Sequence, residues 1–120
     1  MKDTLAVGIE GTSDYTVTAE MSPPHLPVIV LSTPAMVQLI EQTCLLTAAE
    51  HLADGENTVG THICVSHQAA ATEGEQVEVH CRLAEMDRRR LTFAVTVTCG
   101  ERTLSEGTHE RFVVDNDRFG

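Results

Sequence analysis

The stretch that decides the fold runs from Thr33 to Leu52 and reads TPAMVQLIEQTCLLTAAEHL. It predicts one long helix, because Thr33 is a good N-cap, Pro34 suits the first helical position and Asp54-Gly55 ends the run. Apolar side chains surround the predicted axis on almost every side, which is typical of a helix that is buried rather than lying on a surface. Such a helix needs a sheet to cover it.

Alternating apolar and polar residues predict five strands, one before the helix and four after it. They run from Asp14 to Met21, from about Thr58 to Ala70, from Gln76 to Met86, from Leu91 to Cys99 and from Arg102 to Val114. We expect the last four strands to form a meander, so that a five-stranded antiparallel sheet wraps around the one long helix. At 120 residues the chain fits a single α+β domain, residues 1–120.

The composition narrows the classes of protein to which the chain can belong. A net charge of −10 argues against a nucleic-acid surface, which needs a basic patch. No stretch has the apolar length of a signal peptide or a membrane span, and none of the four cysteines forms a CxxC pair. We therefore expect a cytoplasmic protein with reduced cysteines, no metal and no bound cofactor.

The few cations are clustered, and three of them are consecutive at Arg88, Arg89 and Arg90. An acidic protein that binds an anionic ligand would need such a local cluster. A solvated hairpin turn between two strands explains the same residues equally well, and the sequence leaves both interpretations open.

His67 is the first of two polar residues that lie where apolar ones are expected. Strict alternation from Val59 onward gives one strand face, whose members are Val59, Thr61, Ile63, Val65 and His67. An imidazole at the end of this mostly apolar face is either a core histidine with a partner or a catalytic group in a pocket.

Glu41 is the second such residue. On a helical wheel it lies in the middle of an apolar stripe, whose members are Val37, Cys44, Leu45, Ala48 and Leu52. A lone carboxylate there must be paired, neutralised or open to a wet cavity. Glu41 and His67 together predict acid–base chemistry in a pocket, with a satisfied structural carboxylate as the alternative.

The edges of a single five-stranded sheet would be open. Pairing two sheets across a twofold axis would cover one edge and enlarge the core. We therefore expect a homodimer, which could pair further into a tetramer.

Three local runs, together with the order of the elements, resemble hotdog-fold thioesterases, and most closely the fluoroacetyl-CoA-specific thioesterase family. They are Thr33 to Cys44 (TPAMVQLIEQTC), Val59 to Ala70 (VGTHICVSHQAA) and Gly107 to Arg111 (GTHER). The resemblance implies a hotdog fold and hydrolysis of a short acyl-CoA. An acyl-carrier protein is an equally compatible carrier of the thioester.

The resemblance also implies roles for five residues. The family's catalytic Thr, Glu and His fall on Thr33, Glu41 and His67, and its glycine and arginine fall on Gly60 and Arg111. Glu41 would attack the thioester carbonyl or activate water, and His67 would assist the attack of water. Thr33 would orient Glu41 or the carbonyl.

One segment departs from the family pattern. The family enzyme that discriminates fluoroacetyl-CoA has a longer segment before the helix, with phenylalanines that form a lid. Here Ser22 to Ser32 is short and has no phenylalanine, which favours another small acyl group. The residues expected to line the acyl pocket are Val28, Ile29, Val30 and Leu31, and plain core packing is the alternative for them.

Three other functions fit the same fold. An enoyl-CoA hydratase is the first, a non-catalytic module that binds an acyl or aromatic ligand is the second, and a purely structural dimer is the third. Hydratases of this shape usually carry their Asp and His close together on one segment. Here the acid lies on the helix and the histidine on a strand, which favours the thioesterase.

Overall fold

Five antiparallel strands and one long helix make up the computed structural model, which describes residues 1–118. The strands are β1 (Glu10–Thr16), β2 (Glu56–Val65), β3 (Gln76–Asp87), β4 (Arg90–Cys99) and β5 (Arg102–Asp115), the helix is α1 (Thr33–Ala49), and two 3-10 turns span Ala19–Met21 and Asn116–Arg118. The predicted α+β class is confirmed, with the helix packed against one face of the sheet.

The strands lie in the order β1-β3-β4-β5-β2 across the sheet. The predicted meander is therefore wrong for β2, which pairs with β5 at one edge instead of with β3. The connection from β2 to β3 is long enough to cross the end of the sheet. Along it, Ala71 O accepts from Leu31 N beside the start of the helix, and Gly74 N donates to Val17 O beyond β1.

Two strands have other bounds than the sequence predicts. β1 occupies Glu10–Thr16 rather than Asp14 to Met21, because the chain leaves the sheet at Val17 and then forms a 3-10 turn. β2 ends at Val65 rather than at Ala70. The other three strands begin and end within one residue of their predicted bounds.

The helix is capped by a different residue from the one predicted. Ser32 is the N-cap, and its Oγ accepts a hydrogen bond from Ala35 N at 3.2 Å. Because Ser32 takes this role, the hydroxyl of Thr33 is free for another partner. At the other end the helix stops at Ala49, three residues before the predicted Leu52.

The buried face of α1 also differs from the predicted stripe. Its members are Met36, Leu39, Ile40, Thr43, Cys44, Thr47 and Ala48. The helical wheel puts Thr43 and Thr47 on the far side, yet both are buried, and their hydroxyls donate to the carbonyls of Leu39 and Thr43, one turn earlier. A helix that is apolar on almost every side has no dominant stripe, so the sheet selects the face that is covered.

Candidate active site

A β-bulge in β2 decides which of its residues face the helix. Gly60 pairs with Arg111 of β5 and His62 pairs with the residue before Arg111, so Thr61 is an extra residue. The alternation of side chains shifts by one at this point. Gly60 before the bulge and Ile63 after it therefore both face α1.

The bulge overturns part of the predicted strand face. Ile63 and Val65 lie on the helix side of β2, where Ile63 lines a cavity and Val65 packs against the core. His67 continues this side, as the sequence predicts. Val59 does not belong to it, since Val59 pairs with the exposed Phe112 whereas Gly60 pairs with the buried Arg111. Thr61 is the bulged residue, and its hydroxyl donates to Glu110 O.

Thr33 and His67 form the first half of the site. The Oγ1 of Thr33, in the first turn of α1, lies 2.7 Å from the Nδ1 of His67. The backbone N–H groups of Ser66 and Gln68 donate to two carbonyls of β5, at 3.0 and 2.7 Å. The chain is thus fixed on both sides of His67, which directs the imidazole to the start of the helix.

A cavity of about 510 Å³ opens beside this pair. Val30 and Leu31, both predicted to line an acyl pocket, are among its lining residues, whereas the exposed Val28 and the half-buried Ile29 are not. His25 also lines the cavity. Sequence reasoning misses His25, because only the path of the segment before the helix brings it there.

Glu41 lies on the flank of α1 that faces β2, not in the middle of a buried stripe. Its side chain is 43% exposed, and its Oε1 lies 3.9 Å from the Nη1 of Arg111. Gly60 is directly beside it, since a Cβ at that position would be 2.7 Å from the Oε1 of Glu41. The missing side chain of Gly60 therefore makes the space that the carboxylate occupies.

Two residues that hold Arg111 are missed by the sequence reasoning. Arg111 donates from Nε to Thr58 Oγ1 at 2.8 Å and from Nη2 to Thr58 O at 3.0 Å, and its Nη1 lies 3.1 Å from His109 Nε2. His109 is buried, with 1% exposure. Alternation along β5 puts His109 on one face with Arg111 and Val113, and this signal could have found it.

His109 is held in one tautomer by its partners. Its Nδ1 lies 2.8 Å from His62 O, which can only accept, so Nδ1 carries the proton and Nε2 accepts from Arg111. Burial lowers the pKa of His109 and outweighs the opposing effect of the His62 carbonyl. Burial also lowers the pKa of Arg111, against the effect of the Glu41 carboxylate, but the guanidinium stays charged at neutral pH.

The structure brings the site residues together in two groups, not one. Thr33 and His67 line one cavity, while Glu41 lines another with Gly60. Glu41 comes eight positions after Thr33 on the helix, which is about 12 Å along its axis.

Within residues 1–118, no group of three or more His, Cys, Asp or Glu side chains is arranged to hold a metal ion. Over the same part of the chain, no helix is both long and apolar enough to cross a bilayer. The four cysteines are free.

Comparison with known proteins identifies the family. Residues 12–117 match the model of the FlK family, described as fluoroacetyl-CoA-specific thioesterase. The chain belongs to this family. The fluoroacetyl-CoA thioesterase of Streptantibioticus cattleyicolor is 36% identical over 128 residues, which cover 99% of this chain and 92% of that protein.

Solved structures agree with the assignment to the FlK family. A mutant of the fluoroacetyl-CoA-specific thioesterase FlK, in complex with fluoroacetate and CoA, matches with a TM-score of 0.89 and 34% identity, covering 97% of this chain and 100% of that one. A hot-dog-like protein from Thermanaerovibrio acidaminovorans matches with a TM-score of 0.85 and 21% identity over 95% of this chain and 93% of its own. The predicted hotdog fold is confirmed.

This FlK family member is a thioester hydrolase, an acyl-CoA thioesterase that cleaves a small acyl thioester. Such a reaction needs an oxygen nucleophile or an activated water near the carbonyl carbon, a pocket for the acyl group and a path for the thiol. The two groups of residues described above contain a hydroxyl, an imidazole and a carboxylate, each beside a cavity.

His109→Gln is expected to flatten the loss of stability in acid. A histidine whose folded pKa lies below its unfolded value of about 6.5 takes up protons first in the unfolded chain, so stability is full above that pH and is lost as the pH falls. Glutamine can still hydrogen-bond but does not titrate. Urea unfolding at about pH 7.5 and about pH 5.5 should give a larger loss for the wild type than for the variant, and equal losses would contradict the prediction.

Gly60→Ala is expected to impair turnover more than folding. The new Cβ would push the tip of Glu41 aside, and a displacement of about 1 Å at a reacting group can cost roughly 100-fold in rate. The free energy of unfolding should change by no more than about 1 kcal/mol, the span of strand propensities. Steady-state kinetics with Glu78→Ala, an exposed position on β3, provide the control, and an unchanged kcat/KM for Gly60→Ala would refute the role given to the space beside Glu41.

Proposed function

We propose that Thr33, Glu41 and His67 are the catalytic residues of this thioesterase. The observation that supports this most directly is the 2.7 Å contact between Thr33 Oγ1 and His67 Nδ1, beside a cavity of about 510 Å³. A hydroxyl paired with an imidazole at a helix N-terminus can orient a carbonyl and handle a proton in the same place. Glu41 adds the carboxylate that the reaction needs.

Gly60, Arg111, Val30 and Leu31 are the proposed binding residues. Gly60 leaves room for the carboxylate of Glu41, and Arg111 provides a positive charge 3.9 Å from it. Val30 and Leu31 form part of the wall of the larger cavity, where an acyl group would lie.

Glu41 acts either as the nucleophile or as the base. As the nucleophile, its carboxylate oxygen bonds to the thioester carbonyl carbon, the C–S bond breaks and the thiolate leaves. Water then attacks the acyl carbon of the resulting anhydride and gives a proton to His67, and the C–O bond to Glu41 breaks, which restores the carboxylate. As the base, Glu41 takes a proton from a water that attacks the thioester directly, and the C–S bond breaks. In both schemes the proton taken from water passes to the thiolate, so the products are the acid and the thiol.

We propose that two copies of this single domain, residues 1–120, form a homodimer along β2. Every residue from Gly60 to Cys64 is exposed, including Ile63 at 37%, and β2 is an edge strand. Such an edge is a template for pairing. An antiparallel pairing across a twofold axis would bring Glu41 of one copy toward Thr33 and His67 of the other, which a single copy holds about 12 Å apart along the helix.

Mixing two inactive variants tests whether the dimer shares its sites. If each site combines Glu41 of one copy with His67 of the other, a hybrid of Glu41→Gln and His67→Ala chains contains one intact site, and activity should return after subunit exchange. If each site lies within one chain, no hybrid has an intact site and the mixture stays inactive. Sedimentation velocity on each protein reports whether a dimer forms at all.

The acyl group is proposed to be small and other than fluoroacetyl. The segment before the helix closes as a tight loop, because Ser22 Oγ accepts from Val30 N at 3.1 Å and donates to Val28 O at 3.4 Å. It carries no phenylalanine to cover the cavity. The carrier is proposed to be CoA, since the relative from Streptantibioticus cattleyicolor is named for a CoA thioester.

Release of free thiol from a panel of short acyl-CoAs tests the proposal. Turnover on small acyl groups that exceeds turnover on fluoroacetyl-CoA, and that collapses in folded Glu41→Ala and His67→Ala variants, is the expected result. Turnover of an acyl-carrier thioester but of no CoA thioester would show that the carrier is an acyl-carrier protein and not CoA. Hydration of an enoyl-CoA, or ligand binding without turnover, would favour the hydratase or the binding module.

We propose the cytoplasm as the compartment. The free cysteines support a reducing environment, because Cys44, Cys81 and Cys99 are buried without forming disulfides. Fractionation of cells that express the protein at its natural level tests this, and recovery outside the cytoplasm would contradict it.

A further inference from the structure

We propose that the β3–β4 hairpin and the neighbouring side chain of Phe112 bind the nucleotide end of the substrate, the adenosine 3′-phosphate 5′-diphosphate part of CoA. The proposal rests on the proposed CoA thioester substrate and names a second contact region for it. The region comprises Arg88, Arg89, Arg90, Phe112 and Arg118, and we call it the arginine surface.

Charge is the first argument for the arginine surface. The chain has a net charge of −10 and eight Lys and Arg residues, and four of the eight belong to this one surface. The nucleotide end of CoA carries three phosphate groups. An acidic protein that holds such an anion needs a local excess of cations, since its overall field repels the ligand.

The ion pairs of these arginines are few and exposed, so the guanidinium groups are available to bind phosphate. Among residues 1–118, no carboxylate forms an ion pair with Arg88 or Arg118. Arg89 lies 3.6 Å from Asp115 and Arg90 lies 3.2 Å from Asp87, with all four side chains about one-third exposed or more. Ion pairs at such exposure are weak, so a phosphate with its higher charge can compete for the guanidinium groups.

Phe112 gives the surface an aromatic face. It is 41% exposed, although a phenylalanine on a strand would normally be covered. Two adjoining hollows, of about 270 and 350 Å³, both include Phe112 and Arg89 in their walls. An exposed ring beside guanidinium groups is the combination on which a purine base stacks while its phosphates are held.

The other basic residues do not form an alternative surface. Arg111 is buried beneath Glu41, and Arg102 makes a close pair with Glu75 at 2.8 Å. Lys2 donates to Glu50 O far from the hairpin in sequence. Arg82 is the one arginine of β3 and does not belong to a cluster.

The arginine surface lies within reach of the candidate site along the strands of the sheet. Arg111, whose guanidinium contacts Glu41, pairs with Gly60 on one side and with Leu91 on the other. The tip of the hairpin at Arg88 lies about three residues beyond that row, or roughly 10 Å along the strands. Phe112 faces the side of the sheet opposite Glu41, so the pantetheine arm of the substrate would pass around the end of the strands.

Two substrates that differ only in the nucleotide test the proposal. The same acyl group is offered on CoA and on pantetheine, which lacks the nucleotide, to the wild type and to the double variant Arg88→Gln/Arg118→Gln. We expect the KM for acyl-CoA to rise about tenfold with an unchanged kcat, as for the loss of one or two phosphate contacts, and the KM for acyl-pantetheine to stay the same. Arg82→Gln, an exposed arginine outside the surface, is the matched control.

Phe112→Ala is expected to act in the same direction, with a KM for acyl-CoA that rises about tenfold through loss of a base–aromatic stack. If Phe112→Ala does not fold, the double arginine variant still tests the proposal. An unchanged KM for acyl-CoA, or an equal loss on both substrates, would overturn the proposal. A loss of activity that the variants show only on an acyl-carrier thioester, and not on acyl-CoA, would also overturn it.

Direct binding separates this proposal from the proposed function. Titration of the wild type with adenosine 3′,5′-bisphosphate in a calorimeter needs no turnover, and the binding should weaken with added salt and in the arginine variant. If the protein binds this probe but hydrolyses no thioester, the catalytic proposal is wrong and the binding role of the arginine surface is supported. If it hydrolyses thioesters but does not bind the probe, only the binding role of the arginine surface is wrong.

Discussion

Glu41→Gln is expected to lower kcat by about 100-fold or more while the protein stays folded. An amide can neither attack the thioester carbonyl nor take a proton from water. Loss of a general base typically costs about 100-fold to 10,000-fold, and loss of a nucleophile can cost more. The substitution keeps the size of the side chain, so the contacts beside Gly60 and Arg111 remain. Steady-state kinetics on the best substrate of the panel, with unfolding curves for both proteins, provide the measurement.

Glu50→Gln is the matched control for this prediction. Glu50 caps the same helix and is exposed, and it lies outside the cavity that Glu41 lines. Its removal should leave kcat within about twofold of the wild type, as for a surface substitution. Equal activity of Glu41→Gln and Glu50→Gln would remove Glu41 from the mechanism.

His67→Ala is expected to lower kcat by about 100-fold to 10,000-fold, the range for loss of a general acid or base. Thr33→Val should cause a smaller loss, because the hydroxyl acts through its 2.7 Å contact with the ring. Since the two side chains form one hydrogen-bonded unit, the double variant should be little worse than His67→Ala alone. Single-turnover and steady-state kinetics on the three proteins measure this coupling.

His80→Ala serves as the histidine control. Its imidazole lies on the outer side of β3 and pairs with the exposed Glu10 at 3.0 Å. If losses in His67→Ala and Thr33→Val simply multiplied in the double variant, the contact between the two side chains would have no catalytic meaning. A burst of free thiol equal to the enzyme concentration in His67→Ala would favour Glu41 as the nucleophile, and its absence would favour Glu41 as the base.

Local pattern was sufficient for the elements whose neighbours in sequence are also neighbours in space. Strands β3, β4 and β5 follow one another through short turns, and a strict apolar alternation from Gln76 to Val114 predicts their bounds within one residue. The start of the helix is predicted from Thr33 and Pro34. The prediction of Thr33 as the cap was wrong, because the hydroxyl of Ser32, one residue earlier, takes that position.

The position of β2 could not be predicted by the same means. Pairing with β5 rather than with β3 depends on how the sheet closes over the helix, which involves residues far apart in the chain. The bulge at Thr61 has no strong local signal either, yet it moves Val59 off the face that contains His67. Counting alternate residues across a bulge gives the wrong face on one side of it.

By itself the sequence determined which elements form and which family resemblance holds, and it selected the candidate catalytic residues, because these depend on residue type and short spacing. Only the tertiary structure decided that Glu41 stands at the edge of α1 over Gly60, that His109 and Thr58 hold Arg111, and that Thr33 is free to meet His67. Each of these is a contact between side chains distant in sequence. A periodic pattern specifies the direction of a side chain along its own element, whereas its partner is specified only when the elements pack.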